Sequence, residues 1–173
     1  MSPAAATQIP ALSSDAEPYA LDADDRAAIE EEMRHYEDAR AASIGALKIV
    51  QKRHGWVPDA AIPAIGQLLG IPASDLEGVA TFYNLIFRRP VGRYVIKVCD
   101  SVACFLTGYE EVKSELCRVL SVGLGETTPD GRFTLLPICC LGACDRGPVL
   151  MIDDDAHFDV SPRDIARLLE RYP

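Results

Sequence analysis

This sequence of 173 residues is short of several things. No stretch of it approaches the roughly 20 consecutive apolar residues that cross a bilayer as a helix, because Pro, Gly, Ser or charge breaks each apolar run. No Lys or Arg precedes Arg26, so neither the basic start of a secretory signal nor an Arg-rich transit peptide is read. Positive charge is scarce throughout: 17 Lys and Arg stand against 26 Asp and Glu, a net charge of -9. Binding to nucleic acid through phosphates needs clustered cations, so that class is excluded. Histidines are few, and His35, His54 and His157 form no pair at helical spacing, which excludes a histidine metal site. G-x-G-x-x-G, a P-loop and a nucleophile elbow are all missing. There is no C-x-x-C, the spacing that sets a resolving thiol beside an attacking one, which argues against a thiol-disulfide oxidoreductase.

What is present is a globular balance, 49% hydrophobic and 25% charged, which excludes wholesale disorder and a collagen-like chain. The length allows one compact domain, or one with a small appendage. Six cysteines without a signal sequence point to a reducing compartment, and so to metal or redox use rather than structural disulfides.

The chain divides into three parts. Residues 1–20 carry three Pro with many Ala and Ser and no periodic apolar face, a disordered acidic tail. Asp15, Glu17, Asp22, Asp24 and Asp25 place five negative charges ahead of Arg26, more than half of the net charge. Residues 21–88 read as a helical bundle of four short helices. The first runs from about Asp25 to Asp38, with Ile29, Met33 and Tyr36 on one face. The second, Ala41 to His54, stops at Gly55. The third, Ile62 to Leu69, has Pro63 in its first turn and stops at Gly70. The fourth opens on a capping box, Ser74-x-x-Glu77, and aligns Leu76, Val79, Ala80 and Tyr83.

From residue 89 to 173 the period changes. Arg93–Cys99 alternates as a strand, with Tyr94, Ile96 and Val98 on one face and Val95 and Lys97 on the other. Thr107–Leu120 reads as a helix, Phe133–Ile138 and Pro148–Asp153 as strands, and Asp153-Asp154-Asp155 as a solvated turn leading a hairpin back through His157 to Val160. Ser161-Pro162-x-Asp164 starts a last helix that carries Ile165, Leu168, Leu169 and Tyr172 on one face. The predicted class is α+β: a helical bundle followed by an α/β unit with a mixed sheet.

Four of the cysteines fall in two loops that follow strands. Cys99 and Cys104 are a C-x4-C pair, and Cys140 and Cys144 a C-x3-C pair around Gly142, which permits the backbone angles a loop needs to fold round an inserted group. Loops at the carboxyl ends of neighbouring strands can converge on one centre. These spacings sit at the edge of those used by structural zinc, and four thiolates are the usual ligand set of a 2Fe-2S cluster. Small or apolar residues, Ser101-Val102-Ala103 and Leu141-Gly142-Ala143, would let backbone amides approach the sulfurs, and a helix beginning just after Cys104 would favour anionic sulfur. Cys117 reads as a packed thiol. Cys139 and Cys140 point to opposite sides of an extended strand end, and spacing alone leaves either as the ligand.

Three sets of residues carry a resemblance. They are Cys99-Asp-Ser-Val-x-Cys104; Thr128-Pro-Asp-Gly-Arg-Phe-Thr-Leu-Leu-Pro-x-Cys-Cys-Leu-Gly-x-Cys144-Asp-x-Gly-Pro148; and, upstream, His54-Gly-Trp-Val-Pro58 and Glu77-Gly-Val-Ala-Thr-Phe-Tyr83. Together they resemble the 24 kDa (E subunit) family of respiratory complex I, NADH:quinone oxidoreductase, over about residues 25–173. The resemblance implies a thioredoxin-like 2Fe-2S ferredoxin domain over residues 89–173. It places the cluster ligands at Cys99, Cys104, Cys140 and Cys144 and leaves Cys139 as the spare neighbour. It further implies a non-catalytic redox subunit in the cytoplasmic peripheral arm of a membrane-bound complex. The partner is then an FMN- and NADH-binding subunit of the 51 kDa (F subunit) family, and the cluster is of the N1a type, exchanging one electron with that FMN. FMN and NADH are expected on the partner only. Alternatives are the equivalent subunit of an NAD-reducing hydrogenase or an NAD-dependent formate dehydrogenase, or a zinc-stabilised interaction module using the same thiolates. Trp56 reads as a packing anchor.

Overall fold

A computed structural model describes residues 19–173, so the tail expected over residues 1–20 lies outside the described residues up to position 18. Helices α1 (Ala23–Met33), α2 (Ser43–His54), α3 (Ala61–Leu69) and α4 (Ala73–Phe82) come first. Asp22 caps α1 by accepting the Asp24 amide at 3.0 Å, and Asp24 and Asp25 place carboxylates where the helix dipole is positive. Helices α2 and α3 stop, as expected, where Gly55 (φ 78°) and Gly70 (φ 68°) enter the left-handed region.

Two expected boundaries are corrected. Helix α1 ends at Met33 instead of reaching Asp38, and Asp38 instead caps a separate 3-10 turn, Ala39–Ala42, by accepting the Arg40 amide at 2.9 Å. Tyr36 therefore leaves the apolar face and is 44% exposed. Ser74 does not cap α4. The helix starts one residue earlier behind Pro72, with no side-chain cap, and Glu77 pairs with Arg88 at 2.8 Å instead of reaching back to the helix start.

Ile29, Leu47, Val50, Ile65 and Leu76 are fully buried and form the centre of this helical core. Each such side chain contributes about 1.5–3 kcal/mol by leaving water. Arg53 of α2 donates to buried Asp25 of α1 at 2.7 Å and lies near Asp22 and Asp24. The exit from α4 is tied down by Gln51, whose side chain donates to the Leu85 carbonyl at 2.9 Å and accepts the Phe87 amide at 2.6 Å.

The rest of the chain forms β1 (Tyr94–Cys99), α5 (Val102–Leu106), α6 (Tyr109–Leu120), β2 (Phe133–Ile138), β3 (Leu150–Ile152), β4 (Asp155–His157) and α7 (Ile165–Leu169). The sheet order is β2-β1-β3-β4. Strands β1 and β2 are parallel, from Tyr94 opposite Phe133 to Cys99 opposite Ile138, and the other two neighbours are antiparallel. This is the mixed sheet expected, with its core around Ile96, Leu116, Leu135, Leu150 and Ile165.

Several details differ. Val95 is buried like Ile96, so the simple alternation along β1 fails. The hairpin is tighter than expected: Asp153 and Asp154 alone make the turn and β4 ends at His157. Asp153 is not merely solvated, since its carboxylate accepts the Val95 amide at 2.8 Å and its left-handed backbone (φ 50°) makes the bend. The helix expected from Thr107 to Leu120 is α6 alone, preceded by Gly108 at φ 116° and by α5. Residues 170–173 are fastened by Arg132, which donates to the Leu169 and Tyr172 carbonyls, and by the Tyr172 hydroxyl between Asp155 and His157.

Candidate metal centre

Parallel pairing brings the carboxyl ends of β1 and β2 to one edge of the sheet, with Cys99 opposite Ile138. The two cysteine loops leave from these neighbouring ends, so the fold brings two loops distant in sequence to one edge of the sheet. Cys99 ends β1, its amide donating to the Val149 carbonyl at 3.1 Å. Cys104 lies inside α5, which begins at Val102. The expected helix start after Cys104 is therefore corrected: the sulfur belongs to the first turn of a short helix ahead of α6. Both thiols are buried, at 2% and 1% exposure.

Cys140 and Cys144 lie on the loop after β2, exposed, with their sulfurs 3.3 Å apart. The Gly142 amide donates to Cys140 Sγ at 3.3 Å. Gly142 sits at φ 85° with open space where a Cβ would be, so its role is the backbone angle. Cys117 is half-buried against the sheet core and Cys139 is exposed.

Burial pushes the Cys104 thiol up, reinforced by the neighbouring Cys99 and opposed by a backbone hydrogen bond from Val149. In the outer pair the Gly142 amide, then the Cys144 thiol, pull Cys140 down, while its hydrogen bond and charge push Cys144 up. Within the outer pair Cys140 is thus the more acidic thiol. Among the described residues no three Cys, His, Asp or Glu side chains converge on one point. The thiols come as an inner pair, Cys99 with Cys104, and an outer pair, Cys140 with Cys144. A single tetrahedral zinc requires all four about 2.3 Å from one ion. Cys99, Cys104, Cys140 and Cys144 would supply the four thiolates that a 2Fe-2S cluster takes, and the donor set suits that group.

Sequence reasoning missed the segment behind the inner pair. Gly147-Pro148, joined by a cis peptide bond, leads to Val149, whose carbonyl holds the Cys99 amide. The only hint was a Gly-Pro step close after the last cysteine. Also unforeseen was the apolar rim: Val102, Phe105 and Leu106 of α5 are 73%, 55% and 78% exposed, on the helix packed against the Cys144–Arg146 turn.

Residues 29–173 match the thioredoxin-like [2Fe-2S] ferredoxin family. The chain is 65% identical over 154 residues to the E subunit of NADH-quinone oxidoreductase from Pseudomonas aeruginosa, covering 89% of this chain and 93% of that protein. It is 62% identical over 156 residues to the Escherichia coli (strain K12) protein of the same name, covering 90% and 94%. Its fold overlays an NAD+-reducing [NiFe]-hydrogenase with a TM-score of 0.62 at 22% identity, over 78% of this chain. It spans 22% of that hydrogenase chain. On these matches the chain belongs to the thioredoxin-like [2Fe-2S] ferredoxin family, as an E subunit of NADH-quinone oxidoreductase.

Proposed function

We propose that this chain is the electron-transfer subunit of a respiratory NADH:quinone oxidoreductase, complex I, whose N1a-type 2Fe-2S cluster is held by Cys99, Cys104, Cys140 and Cys144. In this reading it exchanges one electron with the FMN of an NADH-binding partner of the 51 kDa family. The observation that carries the reading is the pairing of the thiols, one pair buried and one exposed, at the ends of adjacent parallel strands. When bound, the cluster supplies one-electron storage, its charge passing between about -2 and -3 with its thiolates counted.

The chain's own residues do the rest. The buried inner thiols exclude water from one side of the site, and the exposed outer thiols leave the other side open to a redox partner. The Gly142 amide offsets sulfur charge on that open side. Exposed Val102, Phe105 and Leu106 beside it support docking of the flavin-bearing subunit there. No helix among the described residues is long and apolar enough to cross a membrane, and we place the chain in the cytoplasmic peripheral arm. Residues 21–88 and 89–173 are taken as its helical and cluster-bearing domains, in keeping with their separate cores. The relatives at 65% and 62% identity favour the respiratory complex over a hydrogenase or formate dehydrogenase.

Two substitutions test the ligand set. Cys140→Ser is expected to lose most of the bound iron, whereas Cys139→Ser retains it. Equal loss in both would refute the assignment.

A further inference from the structure

The inner thiols differ from the outer pair in what holds them. Cys140 and Cys144 are placed by their own loop, while Cys104 sits on α5, a helix of five residues that is too short to be stable alone. Something must hold its single turn closed around Cys104. Thr107 follows its last residue, and the single proton of the Thr107 hydroxyl is shared between the Ala103 carbonyl at 2.9 Å and the Cys104 carbonyl at 3.2 Å. The Thr107 amide also donates to the Cys104 carbonyl, at 3.2 Å. Cys104 is thus gripped through its own backbone.

The hydroxyl occupies a seat that exists only because residue 147 is glycine. A Cβ on Gly147 would lie 2.6 Å from Thr107 Oγ1 and 3.4 Å from both Cα and Sγ of Cys104. Gly147 has φ -73° and ψ 156°, angles open to any residue, so room is what this position requires. Displacing the hydroxyl would break its bonds to Ala103 and Cys104.

We infer that Thr107, seated against Gly147, is a positioning residue that holds Cys104 in the inner pair. The inference rests on the reading of Cys104 as a ligand. It assigns Thr107 no contact with iron.

The test uses the full chain carrying its cluster. Thr107→Val keeps the shape and removes the hydroxyl, Thr107→Ser keeps the hydroxyl, and Gly147→Ala fills the seat. Each variant is read by the EPR g-values of the dithionite-reduced protein and by the rate of iron loss to a chelator. Thr107→Val is expected to shift or broaden the EPR signal and to release iron about threefold to tenfold faster, the range one hydrogen bond supports. Thr107→Ser is expected to match the parent chain. Gly147→Ala is expected to resemble Thr107→Val, and the double variant Thr107→Val/Gly147→Ala to be no worse than the worse single change, because both act on one contact.

A Thr107→Val protein with parental g-values and iron release overturns the inference. So does a Thr107→Ser protein as impaired as Thr107→Val, or additive effects in the double variant. If Gly147→Ala does not fold, the comparison of Val with Ser at position 107 still decides. Cys104→Ser separates the two levels: if that variant keeps a normal cluster the ligand reading itself fails, whereas loss of the cluster there with no effect at Thr107 removes only the positioning role.

Discussion

Two glycine-to-alanine changes should move stability in opposite directions, for reasons visible only in three dimensions. Gly92 is buried just ahead of β1, and a Cβ there would lie 2.8 Å and 2.9 Å from the backbone C and N of Phe133 and 3.0 Å from the backbone C of Arg132. These are backbone atoms at the start of β2, paired through Tyr94 opposite Phe133, so no side chain can swing aside. The Gly92 amide also donates to Thr134 Oγ1 at 2.6 Å, and pushing the strands apart strains that bond too. Overpacking of this kind costs about 1–3 kcal/mol, occasionally more, and the hydrogen bond adds about 1 kcal/mol. We therefore expect Gly92→Ala to destabilise by about 2–4 kcal/mol. Gly78 lies exposed within α4 with nothing within 4 Å of its would-be Cβ. Gly78→Ala should stabilise by about 0.5–1 kcal/mol through backbone entropy and helix propensity. At roughly 2–4 °C per kcal/mol for a chain of this size, thermal unfolding should show Tm falling by about 4–16 °C in the first variant and rising by about 1–4 °C in the second. Urea unfolding should agree, with midpoints moved and slopes unchanged. A Gly92→Ala protein within about 0.5 kcal/mol of the parent chain would refute the reasoning about the β1–β2 contact.

Three more expectations follow from named contacts. Gly142→Ala imposes the left-handed angle on a residue with a Cβ, about 1 kcal/mol of strain, and should slow iron incorporation without changing thermal unfolding of the helical core, as loading kinetics and circular dichroism would show. Leu47→Ala opens a cavity at the centre of the helical core and should cost about 2–5 kcal/mol by denaturant titration. Burial, with a smaller effect from Arg171, holds the His157 pKa below its ordinary 6.5. As pH falls, the unfolded chain protonates first, so this contribution is full above about pH 6.5 and declines below it. His157→Gln should flatten that part of the stability–pH curve, and an unchanged slope would count against the assignment.

How much of this was legible in the sequence depended on where the signal lay. Gly55 and Gly70 ended α2 and α3 where expected because a left-handed C-cap is a local property that needs no partner. Ser74 failed as a cap because Pro72 began the helix first and Arg88, distant in sequence, claimed Glu77. Val95 breaks the alternation expected of β1, since it and its neighbour Ile96 point to opposite faces and both are buried. The thiol pairs followed from spacing, yet the choice of Cys140 over Cys139 came only with the resemblance. α5 escaped notice because five residues hold too little periodicity to see. The tight fit of Gly147 to Thr107 could not be read from the chain, since the two residues meet only when the sheet has formed.

The central claim is that four paired thiols hold a cluster that stores one electron. Anaerobic reduction of the intact chain with dithionite, followed by visible absorption and EPR alongside iron and acid-labile sulfide analysis, tests it most directly. The account predicts stoichiometric iron and sulfide, bleaching on reduction, and one paramagnetic centre that is lost in Cys140→Ser and kept in Cys139→Ser. A colourless protein with one zinc and no labile sulfide, or stoichiometric iron and sulfide that neither bleach nor give an EPR signal, would contradict it.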